Sequence, residues 1–360
     1  MAIDLRDVPE EKQTYEICLA SVKTDWRQLK FVDEKYQTEE LCMEAVRQNG
    51  YALKEVKEQT PEICLAAVKK NGTALEYVQN QTPELCLAAI KQSGLALAYV
   101  KNQTPEICLP AIKQWPFAID YVKNQTPEMC FEAVKQDGRV LEYVKNQTPE
   151  ICLTAVRQNG YALKYVKNKT MEICLAAVRE WGSALQFIKE QTPEICLEAV
   201  KNSGAALQYV KDQTPELCLE AVKQNGLALI DVKDQTPEVC IAAVQQTERA
   251  LRYVKDQTPE ICLEAVKQDE FALRYVKAPT PAIYLEAVKQ NGRMLEHVPR
   301  SEQTLPMAIA ALRQDPDSRQ FLAVKFRKPE VYKAAGYDYK PEDLAPKYRD
   351  MERGETVLSR

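Results

Sequence analysis

Apolar positions recur along this chain with a period of 22 residues. Counted from a cysteine as slot zero, the unit reads T-P-E-I-C-L-x-A-V-K-Q-N-G-x-A-L-x-Y-V-K-N-Q. Apolar residues at −1, 0, +1, +3 and +4 have helical spacing and predict one helix of about ten residues. Thr at −4 is its N-cap, Pro at −3 stands at the first helical position, and Glu at −2 complements the helix dipole. Gly at +8 reads as a C-cap in left-handed conformation. Ala at +10, Leu at +11 and Val at +14 predict a second, shorter helix with one apolar side. Gln at +17 then leads into the next Thr cap.

The cysteines mark the copies: Cys18, Cys42, Cys64, Cys86, Cys108, Cys130, Cys152, Cys174, Cys196, Cys218, Cys240 and Cys262. Tyr284 and Ala308 continue the series, giving fourteen copies over residues 14–324. Residues 1–13, with Leu5 and Val8, read as an opening half-repeat, and residues 325–360 as a capping or partner-binding tail. Isolated helices below roughly 12–15 residues are marginal in water, so each copy must be held by its neighbours. The expected fold is all-α: an α-solenoid, wound as a superhelix, of about fourteen 22-residue helix-turn-helix repeats with a C-terminal cap.

The unit resembles a bacterial repeat family catalogued as domain of unknown function 4116. The resemblance rests on a core such as Ala155-Val156-Arg157-Gln158-Asn159-Gly160-Tyr161-Ala162-Leu163 and its copies, and covers nearly the whole array. It departs in the linker, which here is shorter and almost always K-N-Q-T-P-E. It implies a helical bacterial protein and no particular activity.

Composition narrows the chemistry. Lys plus Arg is 48 against 52 Asp plus Glu, a net charge of −4, which argues against a bulk polyanion binder. A single histidine, His297, leaves little room for His-based triads or metal sites. There is no Gly-rich phosphate loop, no nucleophile elbow and no paired Cys motif, so neither enzyme activity, cofactor nor metal is expected. No apolar run approaches the roughly 20 residues of a membrane span, and the first residues lack a signal-peptide layout. The cysteine row reads as small buried hydrophobes, with zinc ligation and reactive thiols as the alternatives. Unpaired cysteines suit a reducing compartment, the cytoplasm of a bacterium or of a host cell.

Three rows bear on function. Lys or Arg at +5, beside the Glu row, reads as a solvated, salt-bridged face, illustrated by Glu132 with Lys135 and Glu198 with Lys201. Tyr at +13, as in Tyr77, Tyr99, Tyr121, Tyr143, Tyr165, Tyr209, Tyr253 and Tyr275, reads as inter-layer packing or as a base-stacking ladder. Slots +9 and +12 vary inside an otherwise copied unit and share the outward side of the second helix. From these slots and from copies that break the template come the candidate partner-binding residues: Arg27, Tyr51, Lys54, Trp115, Phe117, Arg139, Tyr161, Lys164, Trp181, Arg249, Arg252, Phe271, Arg274 and Arg293. Exposed aromatics and arginines are the composition of interface hot spots. The expectation is a non-enzymatic scaffold binding a protein partner, as an inhibitor, effector or anti-defence protein. The alternative is a nucleic-acid binder using the Lys/Arg rows and the Tyr ladder.

Overall fold

A computed structural model describes residues 4–346, 348 and 349; the remainder of the expected tail and residues 1–3 lie outside the described residues. The described chain is helical, with no strand among the described residues. It falls into two compact units, one up to Glu180 and one from Trp181 onward. Within each unit the copies stack. Each ten-residue α-helix packs on the α-helices of adjacent copies, and each short second helix packs on its counterparts. The α-solenoid expected from the repeat is the observed fold.

The seventh copy shows the local logic. Its α-helix runs Pro149–Gln158, capped by Thr148, whose Oγ1 accepts from the Ile151 N–H at 3.3 Å. Ile151, Cys152, Ala155 and Val156 point inward and are buried. They meet Ala162, Leu163 and Val166 of the second element, which are buried as well. Leu153, at +1, is only half-buried, and its counterpart Leu87 is 39% exposed, so this slot borders the core rather than filling it.

Two expectations need correction. The second element, Gly160–Tyr165 here, is a six-residue 3-10 helix in this copy and most others. Three residues per turn put +9 directly beneath +12, and +10 beneath +13. The glycine at +8 is not a left-handed C-cap: among the described residues only Gly336 has positive φ. The α-helix instead ends on an extended residue at +7, such as Asn159 with φ −154° and ψ 110°. Glycine opens the 3-10 helix because the next copy approaches it closely. A Cβ on Gly138 would stand 2.3 Å from the Ala155 carbonyl oxygen, and one on Gly50 2.3 Å from that of Ala67.

At the N-terminus, Leu5–Asp7 forms a 3-10 turn against Trp26–Phe31, and the Leu5 N–H donates to Gln28 Oε1 at 2.8 Å. At the other end, the helix Pro329–Ala335 packs on Leu305–Gln314 and buries Val331 and Tyr332. The Tyr332 hydroxyl donates to the Asp343 carbonyl at 2.9 Å, and burial pushes its pKa up to about 12.

All twelve cysteines are buried free thiols. Burial raises the pKa of each, that of Cys42 to about 11. Most also aim Sγ at the glutamine preceding the Thr cap, as Cys152 does at Gln147 Oε1 (3.8 Å). The native chain is therefore expected to leave its thiols unreacted toward an aromatic disulfide reagent at pH 8 and to expose all twelve on unfolding. Rapid reaction of the folded protein would contradict the packing. The linkage sign follows from the same shift. A thiol whose folded pKa lies above its unfolded value leaves the unfolded chain deprotonating first, so stability is intact below pH 9 and falls as pH rises toward 11.

Candidate partner-binding surface

The linker between copies contains the structural element that sequence reading passed over. Gln147, at the position before the Thr148 cap, bridges two copies. Its Nε2 donates to the Leu141 carbonyl of the copy before (3.1 Å) and to the Tyr165 carbonyl of its own copy (3.0 Å). Its Oε1 accepts from the Lys167 N–H at 2.9 Å. The pattern recurs at Gln59, Gln81, Gln103, Gln125, Gln213, Gln235, Gln257 and Gln303, and in part at Gln191. Twelve of fourteen copies carry Gln at this slot, Lys169 and Pro279 being the exceptions. That constancy in a linker was the available signal.

The lysines at +15 are committed too. Lys123 Nζ donates to the Lys101 carbonyl (3.1 Å), Lys145 to Lys123 (3.0 Å), Lys167 to Lys145 (2.9 Å), and in the second unit Lys233 to Lys211 (2.6 Å) and Lys255 to Lys233 (2.7 Å). This row holds the edge of the stack by satisfying backbone carbonyls.

The face formed by +9 and +12 is what remains open. Arg27, Lys54, Arg139, Lys164, Arg249, Arg252, Phe271, Arg274 and Arg293 are exposed, while Tyr51, Trp115, Phe117, Tyr161 and Trp181 are half-buried. Several cations are held by local carboxylates. Arg139 grips Asp137 through Nε–Oδ1 (3.0 Å) and Nη2–Oδ2 (2.6 Å), which holds the Asp137 carboxyl below its usual range. Arg293 reaches Asp315 at 2.8 Å, Arg27 reaches Asp25 at 3.4 Å, and Arg249 and Lys54 each lie 3.5 Å from the glutamate beside them in sequence.

In the first unit the structure joins residues from successive copies into one aromatic strip. Trp115 lies 6.1 Å from Phe117 and from Tyr121, Phe117 6.1 Å from Tyr143, and the Arg139 guanidinium 5.8 Å from the Phe117 ring. Tyr161 and Tyr165 meet edge to face at 6.0 Å, with Lys164 Nζ 5.5 and 5.2 Å from their rings. Lys164 also donates to the Tyr161 hydroxyl, which raises its pKa. Tyr51 stands apart from this strip, edge-on to Tyr77 and bonded to Thr73 Oγ1 at 2.6 Å.

In the second unit Arg252 sits over Tyr253 (6.0 Å) and Tyr275 (5.5 Å), and Arg274 over Tyr275 (5.0 Å) and Phe271 (5.8 Å). Neither arginine has an ion pair among the described residues. Trp181 packs on Phe187 at 6.2 Å. Tyr165, Tyr253 and Tyr275 thus form a half-buried bed on which +12 cations rest, so parts of their ring faces are already covered.

The i,i+3 pairs expected on the outer α-helical face occur at Lys267–Glu264 (3.5 Å) and Lys289–Glu286 (3.9 Å); Glu132 accepts instead from Gln136 Nε2 at 3.3 Å. Among the described residues no group of three or more His, Cys, Asp or Glu could hold a metal ion, and no helix is long and apolar enough to cross a membrane.

A 22-residue α/3-10 unit stacked through a buried cysteine row and bridging glutamines, with variable side chains left on one face, defines a helical-repeat scaffold of the α-solenoid class. The chain belongs to the family described as Domain of unknown function (DUF4116), which matches residues 14–60, 39–82, 60–103, 126–171, 148–192, 170–214 and 192–235, more than half of its length. No curated protein matches it.

Proposed function

We propose that the chain is a non-enzymatic scaffold that binds a protein partner through the +9/+12 face of its 3-10 helices, in a reducing compartment and in an inhibitory or effector role. The observation that carries this reading is the pair Arg252 and Arg274. Both are exposed, unpaired with any carboxylate among the described residues, and pre-positioned on Tyr253, Tyr275 and Phe271. An arginine stacked on an aromatic loses little side-chain freedom on docking and still offers its fork to a carboxylate. Rigid aromatic and Arg anchors carry most of the energy in protein interfaces. A polyanion is the weaker fit. The +15 lysines are spent on backbone carbonyls, and Arg139 and Arg293 on Asp137 and Asp315.

The test is an affinity capture from lysate treated with nuclease, using the wild type beside R252A/F271A/R274A. A stoichiometric protein retained by the wild type and weakened about tenfold or more in the triple variant supports the reading. Recovery of nucleic acid, with affinity falling steeply as salt rises, would overturn it in favour of a nucleic-acid solenoid.

A further inference from the structure

We infer that the break in the glutamine row at Pro279 forms a binding site for a small aromatic carboxylate. This site goes beyond the proposed partner surface, although Phe271 and Arg274 contribute to both. Three departures from the repeat coincide here: the bridging glutamine becomes Pro279, the cysteine becomes Tyr284, and the +13 tyrosine becomes His297. In other copies the glutamine Nε2 fills this position and serves the +11 and +13 carbonyls, as Gln257 serves Leu251 (3.0 Å) and Tyr275 (3.0 Å). Proline offers no such donor. The slot +15 residue that would donate to the glutamine Oε1 is here Pro299, which has no N–H, so both halves of the bridge are lost together.

What stands in its place is a cavity of about 320 Å³ walled by Leu273, Pro279, Tyr284 and Met294, with Phe271 at its mouth. That volume lies at the lower end of ligand pockets, roughly 300–1,000 Å³. The walls are apolar and aromatic, and Met294 suits contact with a ring. The polar residues of the lining are Arg274, His297 and Tyr284, and no hydrogen bond or ion pair engages these side chains among the described residues. No carboxylate lines the cavity; Glu302, which acts electrostatically on Tyr284, is not part of its wall.

The linker has also shed its acids. The preceding copy places Asp256 and Glu260 where this one has Ala278 and Ala282, the latter interrupting twelve consecutive glutamates at that slot. An apolar chamber whose lining holds an arginine paired with no carboxylate among the described residues, and no carboxylate of its own, selects an apolar body with one negative head.

The experiment uses the full chain and the fluorescent anion 8-anilinonaphthalene-1-sulfonate, competed with naphthalene-2-carboxylate or its uncharged carboxamide. Three variants accompany the wild type: R274Q, R252A and P279Q/Y284C. The last restores the Gln–Cys pair with which eleven other copies are built. The expected result is one probe site per chain, displaced by the carboxylate about tenfold more strongly than by the amide, weakened about tenfold in R274Q and lost in P279Q/Y284C. Circular dichroism confirms that each variant is folded. Absence of a stoichiometric site in the wild type overturns the inference, as does binding that survives in P279Q/Y284C or ignores R274Q. Equal competition by acid and amide overturns the assignment of a carboxylate. Loss of probe binding with protein-partner capture retained in P279Q/Y284C, and loss of capture with probe binding retained in R252A, whose side chain is not part of the cavity lining, separate this site from the partner surface.

Discussion

Gln147→Leu is expected to lower the stability of the native chain by about 2–4 kcal/mol, although it replaces a linker residue with an apolar one of similar size. Leucine takes away three bonds to backbone groups: those to the Leu141 and Tyr165 carbonyls and that from the Lys167 N–H. The Leu141 carbonyl keeps a second partner, the Val144 N–H at 3.2 Å. The Tyr165 carbonyl and the Lys167 N–H must find water at the edge of the stack, and the Cys152 thiol loses its acceptor. Removing one side of a part-buried hydrogen bond costs about 1–3 kcal/mol, and the two most affected groups set the total. Urea unfolding followed by far-UV circular dichroism measures it, and hydrogen exchange at Lys167 locates it. Gln147→Lys is expected to be milder, because Lys169 fills the same slot naturally and donates through Nζ to the Val166 carbonyl at 2.7 Å. A change below about 0.5 kcal/mol in Gln147→Leu, the range of ordinary surface substitutions, would show that the bridge contributes little.

These bridges mark the limit of what the sequence discloses. The repeat, its Thr-Pro start, its apolar rows and the buried cysteines are legible because each follows from local chemistry or from 22-residue self-similarity. The 3-10 form of the second element is not. In a six-residue segment such as Gly160–Tyr165, apolar residues at +10 and +11, with +14 at its C-cap, satisfy 100° and 120° per residue alike. The role of glycine at +8 was misassigned for a related reason. Its constraint comes from a carbonyl in the following copy, and no local pattern carries information about distances between layers. The roles of Gln147 and Lys167 leave no local signal because their partners are backbone groups 18–22 positions away. Nine of the fourteen surface candidates are exposed and five half-buried, yet their grouping was hidden. Arg139 and Phe117, or Arg252 and Tyr275, meet only because +9 and +9 or +12 and +13 of adjacent copies stack.

Gly138→Ala is expected to destabilise the chain by about 1–3 kcal/mol, against the usual benefit of exchanging glycine for alanine. Where an alanine fits, restricting the unfolded chain stabilises by about 0.4–1 kcal/mol. At Gly138 the new methyl would meet the Ala155 oxygen at 2.3 Å and the Ala155 carbon and Gln158 Oε1 at 3.1 Å. Two of these atoms are backbone of the next helix, so relief requires moving a whole layer. That movement also stretches the bond from the Gly138 N–H to Gln158 Oε1, now 2.6 Å. The same slot holds Trp26, Pro116, Glu248, Glu270 and Pro316 in other copies, so those layers already stand far enough apart to admit a Cβ. The exchange should therefore be asymmetric: Gly138→Glu disrupts the stack, while Glu248→Gly changes stability by no more than about 1 kcal/mol, the intrinsic cost of a glycine. Gly336→Ala supplies the contrasting case. Nothing lies within 4 Å of its Cβ position, but φ is 73°, so its cost of about 1–2 kcal/mol is local backbone strain. Hydrogen exchange separates the two mechanisms. Gly138→Ala should loosen amides in the copies on both sides of it, whereas Gly336→Ala should affect only the helix end it caps. Equal, purely local effects would mean that layer spacing is soft enough to absorb a methyl, and the close approach of copies would then not be what keeps glycine at +8.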